Sequence, residues 1–340
     1  MPSIPSVLHR TLWGVAAYFN PTRNPWLPQN LMLFAQRVRA QGLKLAIIEL
    51  AHDRTGVDGA EADTDGEFEI DASVCDLLLQ RRCDVTLWQK ERLLNLAIAA
   101  LPAACDKVVW LDGDILFENP DWVGQTASLL DRHPVVQPFD RAVWLTPDTV
   151  TPPEHPPRGL GEGCEMPGMA ATMASGGERQ RLLADYFNHG HPGFAWAARR
   201  TILAKHPLYD RHILGGGDVT IAHAIFGDRD YWRGLNMACR DMTAAEIAAM
   251  GSWGRAFHGA IDGSIGYVPG RVRHLWHGPL AQRGYRDRWK ILRQADYDPL
   301  RDVAVDADRQ CLRWASDKPV LHRQVAGYFQ QRSAVAAVAA

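Results

Sequence analysis

Apolar positions along the chain come in short unbroken runs and helical stripes. Residues 12–19, Leu-Trp-Gly-Val-Ala-Ala-Tyr-Phe, form one run and stop at a turn-rich stretch, Asn20-Pro21-Thr22-Arg23-Asn24-Pro25. This predicts a buried strand followed by a polar loop. Leu31, Phe34, Ala35 and Val38 then recur at helical spacing, Gly42 supplies a stop, and residues 43–50 return as a second apolar strand. Strand, crossover helix and strand make a parallel pair. Residues 86–100 predict a helix with Leu94, Ala97, Ile98 and Leu101 on one face, and Pro102 leads on to Lys107-Val108-Val109-Trp110-Leu111. Four of those five residues are large and apolar, the pattern of a parallel strand covered on both faces. The run drives straight into Asp112-Gly113-Asp114.

The second half is less regular. Residues 122–130 read as a helix and 135–139 as a short strand. Residues 146–177 are rich in proline and glycine with little periodicity, and the expectation is a flexible lid loop over 141–177 that orders above a bound ligand. Helices are expected over 178–187, up to Tyr209-Asp210, and from Asp218 to Ile225 after Gly215-Gly216-Gly217. Residues 263–272 suggest a strand or hairpin that delivers His274 and His277. Residues 285–292 and 299–330 read as helical, with an Ala-rich tail that frays. The pattern as a whole is α/β, with a mixed, mainly parallel central sheet flanked by helices. It divides into one domain over 1–300, with halves at about 10–140 and 178–300, and a C-terminal helical extension over 301–340.

Composition narrows the function classes. With 37 basic and 39 acidic residues the formal charge is -2, so there is no global attraction to nucleic acid, and an anionic ligand needs a local site. The six cysteines, at 75, 83, 105, 164, 239 and 311, contain no Cys-x-x-Cys pair, which argues against a zinc cluster or a disulfide framework. No leader-like segment opens the chain, and the longest uncharged apolar stretch, residues 96–105, contains a proline and falls well short of the ~20 residues a membrane span needs. A cytoplasmic protein with no transmembrane segment is expected. Residues 53–71 carry eight acids and one base. Within them Glu61-Ala62-Asp63-Thr64-Asp65-Gly66 hints at a calcium loop, but Ala72 stands where the closing carboxylate belongs, so the stretch is read as a charged loop.

The candidate chemistry centres on the acidic turn. Ligands of open α/β sheets bind at the carboxyl ends of the strands, and Asp112 and Asp114 offer oxygen ligands to Mg²⁺ or Mn²⁺. Gly113 removes a side chain that would crowd a phosphate. The competing reading is a solvated acidic turn. Lys90, Arg92 and Asn95 on the preceding helix are candidate ligand contacts or ordinary helix polarity. Asp218 is either a helix cap or a base, and His274 and His277 are either metal ligands or structural histidines.

Taken in order, four stations resemble the GT-A glycosyltransferases, in particular the beta-1,4-galactosyltransferase family and the catalytic domain of the polypeptide N-acetylgalactosaminyltransferases. They are Tyr18-Phe19-Asn20 with Arg23, Lys90 to Asn95 with Val108 to Asp114, Gly193-Phe194-Ala195 with Gly216-Gly217-Asp218, and the histidines. At the third station Asp218 replaces the family's glutamate. At the fourth, His274 matches the galactosyltransferase pattern, and His277-Gly278-Pro279 is similar to glycogenin-type enzymes.

The resemblance implies a GT-A (Rossmann-like) fold and transfer of a sugar from a nucleotide diphosphate sugar, with UDP expected, to a hydroxyl on a glycan. It implies Mn²⁺ or Mg²⁺ held by Asp112, Asp114 and His274 or His277. Donor contacts would come from Tyr18, Phe19, Asn20, Arg23, Lys90, Asn95 and the acidic turn with Gly113. Gly193, Trp196, Gly216 and Gly217 would line the acceptor side, with Asp218 as catalytic base. Two rivals stay open: a haloacid-dehalogenase-type phosphatase with Asp112 as nucleophile, and a non-catalytic carbohydrate-binding protein.

Overall fold

A computed structural model of the chain describes residues 12–52, 67–147, 149, 151–152, 154–284 and 287–333. The calcium-like hint at 61–66 and the Ala-rich tail lie outside the described residues. The first half runs β1 (Leu12–Phe19), α1 (Trp26–Ala40), β2 (Lys44–His52), β3 (Leu77–Cys83), α2 (Lys90–Ala100), β4 (Lys107–Leu111), β5 (Ile115–Phe117), α3 (Trp122–Leu130), β6 (Val135–Gln137) and β7 (Arg141–Trp144). The next elements are β8 (Glu165–Pro167), α4 (Met169–Ala174), α5 (Arg179–Ala184), β9 (Ala195–Arg199), α6 (Arg200–Lys205), α7 (Gly217–Phe226) and α8 (Arg229–Trp232). The chain closes with α9 (Ala244–Gly259), β10 (Gly266–Tyr267), β11 (Arg271–His274), α10 (Arg288–Gln294), β12 (Val303–Val305), β13 (Leu312–Trp314) and α11 (Pro319–Ser333). None of the described helices is long and apolar enough to cross a membrane.

Seven strands form the main sheet in the order β10-β6-β9-β4-β1-β2-β3. Strands β1 to β4 pair in parallel, while β9 is wedged antiparallel between β4 and β6. A smaller sheet, β5-β11-β7-β8, stands beside it. Every residue of β4 is buried, as the unbroken apolar run requires for a strand with both faces covered. The period of two assigns those faces. Leu12, Ala16, Ile47 and Val109 join the core under α1 and α3, while Val15, Ile48, Val108 and Trp110 join the core under α2 and α7. Gly14 lets the sheet approach Leu43 closely, since a β-carbon there would lie 2.6 Å from the Leu43 side chain.

Two expectations of the pattern are corrected. Residues 141–177 carry β7, β8 and α4, with β7 in the smaller sheet, so the segment is not a structureless loop. Residues 299–330 are not helical throughout: β12 and β13 form an antiparallel hairpin before α11. Its strands are three residues each, too short for alternation to be read.

Candidate active site

The site is built where β4 ends. The Asp112 backbone N–H donates to Phe194 O at 2.8 Å, which extends the β4/β9 pairing by one step and ties the acidic turn to the loop before β9. Gly113 packs close to α1: a β-carbon there would lie 2.8 Å from Leu31 Cδ1. Asp114 O accepts Leu275 N–H at 2.8 Å, and β11 pairs with β5 next to it. That register delivers both histidines to Asp114. His274 Nε2 lies 3.5 Å and His277 Nε2 3.1 Å from Asp114 Oδ2.

One ligand atom from each of Asp114, His274 and His277 lies within 4.8 Å of the others. Asp114 Oδ1 is buried without a hydrogen-bond partner among the described residues. Burial pushes His274 down to about 3, so its imidazole is neutral and its lone pair available. Burial alone would raise Asp114, but His274, His277 and Arg283 bring it well below the ordinary carboxylate range. One carboxylate and two imidazoles with an orphaned oxygen fit a divalent ion such as Mn²⁺. Asp112 stands outside this trio, its Oδ1 in a short ion pair with Lys90 Nζ.

Lys90 is the first residue of α2. Loss of hydration pulls its pKa down, yet Asp112, Glu91 and Asp218 together raise it, so it stays a cation among three carboxylates. Glu91, absent from the sequence-derived set, lines the same pocket and is 4% exposed. Burial pushes it up to about 7. Its signal was its place on the apolar stripe of α2 with Leu94 and Ile98.

Asp218 faces the trio's neighbour, Asp112, across a pocket that also contains Gly193, Phe194 and Trp196. It is not the helix cap. Gly216 holds the N-cap position of α7 in the left-handed conformation (φ 98°), and Asp218 sits in the first turn without capping. Gly193 makes room for it, since a β-carbon there would come within 2.7 Å of Asp218 Oδ2. Gly217 likewise abuts the Glu91 carboxylate and Gly216 the Trp289 ring. Trp196 is fixed by its Nε1–H donating to Pro192 O at 2.8 Å.

Phe194 is held at φ 69°, unusual for a bulky residue, and its ring lies between those of His191 (3.9 Å) and His274 (4.9 Å). His191, also absent from the sequence-derived set, is buried and accepts Gly193 N–H at 3.1 Å on Nδ1. Burial pushes it down to about 4, which suits that acceptor role.

The other sequence-derived residues have partners outside the ion trio. Asn95 is a structural clamp: its Nδ2 donates to Leu208 O (2.8 Å) and its Oδ1 accepts Leu208 N–H (2.9 Å). Arg92 donates to Gln310 O at 2.7 Å. Asn20 closes its own loop by accepting Asn24 N–H at 2.8 Å. Phe19 packs edge-on against Trp88, Arg23 is exposed, and the Tyr18 hydroxyl donates to Glu69 at 2.5 Å.

No protein-family model matches the chain, and no curated protein does. Among solved structures, S. aureus TarS 1-349 matches 64% of this chain and 56% of its own at 9% identity and a TM-score of 0.34. A mycobacterial protein matches 93% of this chain and 88% of its own at 16% identity and a TM-score of 0.42. The catalytic domain of Drosophila beta1,4-galactosyltransferase 7, complexed with xylobiose, matches 64% of this chain and 59% of its own at 12% identity and a TM-score of 0.29. The chain thus spans under two thirds of the TarS and galactosyltransferase chains it matches. With β3-β2-β1-β4 in parallel, β9 reversed beside them and the acidic turn after β4, it has a Rossmann-like α/β fold with the mixed, mainly parallel central sheet that the sequence implied.

Proposed function

We propose that the protein is a metal-dependent glycosyltransferase that moves a sugar from a nucleotide diphosphate sugar, with UDP the expected nucleotide, to a hydroxyl of a glycan. The observation that carries this reading is the pairing of a carboxylate–imidazole trio at the end of β4 with an uncapped carboxylate, Asp218, in the same crevice. Asp114, His274 and His277 would hold a divalent ion, which when bound supplies positive charge to a leaving diphosphate. Lys90 adds a fixed cation beside it. Asp218 takes the proton of the incoming hydroxyl as that oxygen bonds to the anomeric carbon. The bond from that carbon to the diphosphate oxygen breaks, and its electron pair leaves with the nucleotide. Direct displacement of this kind inverts the configuration. Gly193 lets the Asp218 carboxylate lie against the loop before β9.

The phosphatase reading has less support. Asp112 is paired with Lys90, β1, α1, β2 and β3 all precede it, and two imidazoles face Asp114 where Mg²⁺ favours oxygen ligands. The test is a thermal-shift screen of nucleotide sugars with and without Mn²⁺, followed by product analysis on glycan acceptors. A Mn²⁺-dependent shift with a nucleotide sugar and formation of a glycoside are expected. No shift with any metal and nucleotide pair would sink the reading.

A further inference from the structure

Three register-matched residues make a polar row across the carboxyl ends of the first strands: Tyr18 on β1, Glu49 on β2 and Gln80 on β3. Ligands of parallel sheets bind at this edge. Here the chain itself already spans part of it. Glu49, 2% exposed, accepts Glu69 N–H on Oε1 at 2.5 Å and Gln80 Nε2–H on Oε2 at 2.9 Å. These bonds lay residues 69 and 70 over the row. The Glu69 side chain then turns onto β1, where one oxygen, Oε2, accepts from the Tyr18 hydroxyl at 2.5 Å and faces the Asn20 amide at 3.5 Å. Two neutral donors thus converge on a single acceptor. Glu69 is itself exposed, so its carboxylate has open solvent to swing into.

We infer that Glu69 is a latch on the donor side of the crevice, a tethered carboxylate occupying the Tyr18 and Asn20 donors that a ring carbonyl of a pyrimidine nucleotide takes over on binding. The inference rests on the nucleotide-sugar reading and adds a residue that sets donor affinity. The latch and the ligand are both anionic, so they compete for the same donors and also repel one another. Glu69 therefore weakens nucleotide binding, which is the reverse of what a contact residue does.

The experiment is calorimetric titration of UMP without metal, which isolates the base side of the site from the Asp114 trio. Glu69→Ala is expected to bind UMP about fivefold tighter than the native chain and Tyr18→Phe about threefold weaker, and the gain from Glu69→Ala is expected to vanish in the double variant. Weaker or unchanged binding by Glu69→Ala overturns the latch. If no nucleotide binds any of these proteins, the donor reading fails, and the latch is then judged by amide hydrogen exchange. Glu69→Ala and Tyr18→Phe must each speed exchange at the Glu69 and Ile70 amides; unchanged protection overturns it.

Discussion

Asp114 and His277 meet through one carboxylate oxygen and one ring nitrogen, 3.1 Å apart, while the second oxygen of Asp114 is buried without a partner among the described residues. A carboxylate held this way is preorganised for a cation on its open side. Asp114→Ala is therefore expected to lower Mn²⁺ affinity at least ~100-fold, read by electron paramagnetic resonance of free Mn²⁺, and to abolish the Mn²⁺-dependent thermal shift. Retained Mn²⁺ binding would remove the trio from the site.

Asp218→Asn keeps the size and polarity of the side chain and removes the base. Transfer should slow by about 10²- to 10⁴-fold, with nucleotide affinity within about twofold of native. Transfer at the native rate would show that another group takes the proton.

Lys90 is the cation that Asp112 and Glu91 share. Lys90→Met leaves Asp112, Glu91 and Asp218 without their shared cation in a partly buried site and should destabilise the fold by about 1–3 kcal/mol in urea titration. Adding Asp112→Asn should recover part of that loss. If Lys90→Met alone is neutral, the pair is solvated and the cluster is not a unit.

Glu246 has one oxygen in the capping box at the start of α9 and the other buried without a partner. Burial pushes it up to about 7, above its ordinary value of 4.5. A raised carboxyl stabilises fully below the unfolded value and loses that contribution as pH rises through the folded one. The native chain should therefore lose stability between about pH 4.5 and 7 through this group, and Glu246→Gln should flatten that slope. At pH 8 the variant should be more stable by roughly 1–3 kcal/mol in chemical denaturation. An unchanged slope would mean that water reaches the carboxylate.

Asn95 tests the reassignment from donor contact to clamp. Asn95→Ala removes both bonds to Leu208 and leaves its peptide group wanting partners, so it should cost about 1–3 kcal/mol of stability. Nucleotide affinity should be unchanged in the same protein. A selective loss of affinity would restore the donor role.

The strands and helices written in local pattern were legible. β1 falls on the expected residues 12–19 and α3 on 122–130, because each is a continuous run or stripe bounded by turn residues. α9 was not, since glycines interrupt its pattern. Those at 251 and 254 are there because a β-carbon would meet Trp232 O and Nε1 at 2.6 Å each, so packing against α8 overrides helix propensity. The wedging of β9 between β4 and β6 is equally invisible to local pattern, as pairing across about 90 residues leaves no periodicity to read.

In the site, the acidic turn and the histidines could be located because they end strands. Both histidines, left as alternatives in the sequence, face the same oxygen of Asp114. Glu91 was hidden because an acid in a first helical turn looks like ordinary helix polarity. Arg283 closes a short 3-10 helix, Leu280–Arg283, and His191 precedes β9; only the tertiary fold brings the first near Asp114 and the second onto the Phe194 ring.

The reversed direction of β9 has a consequence for how such a protein can diversify. Its first residues arrive at the same edge where β4 finishes, locked by the bond from Asp112 N–H to Phe194 O. The segment between β7 and β9 is thus anchored at both ends by strands, and β8 ties its middle back to β7. Glu165 of β8 in turn pairs with Arg271 of β11 at 2.7 Å, so a change of length between β7 and β8 reaches the ion trio through the strand that carries His274.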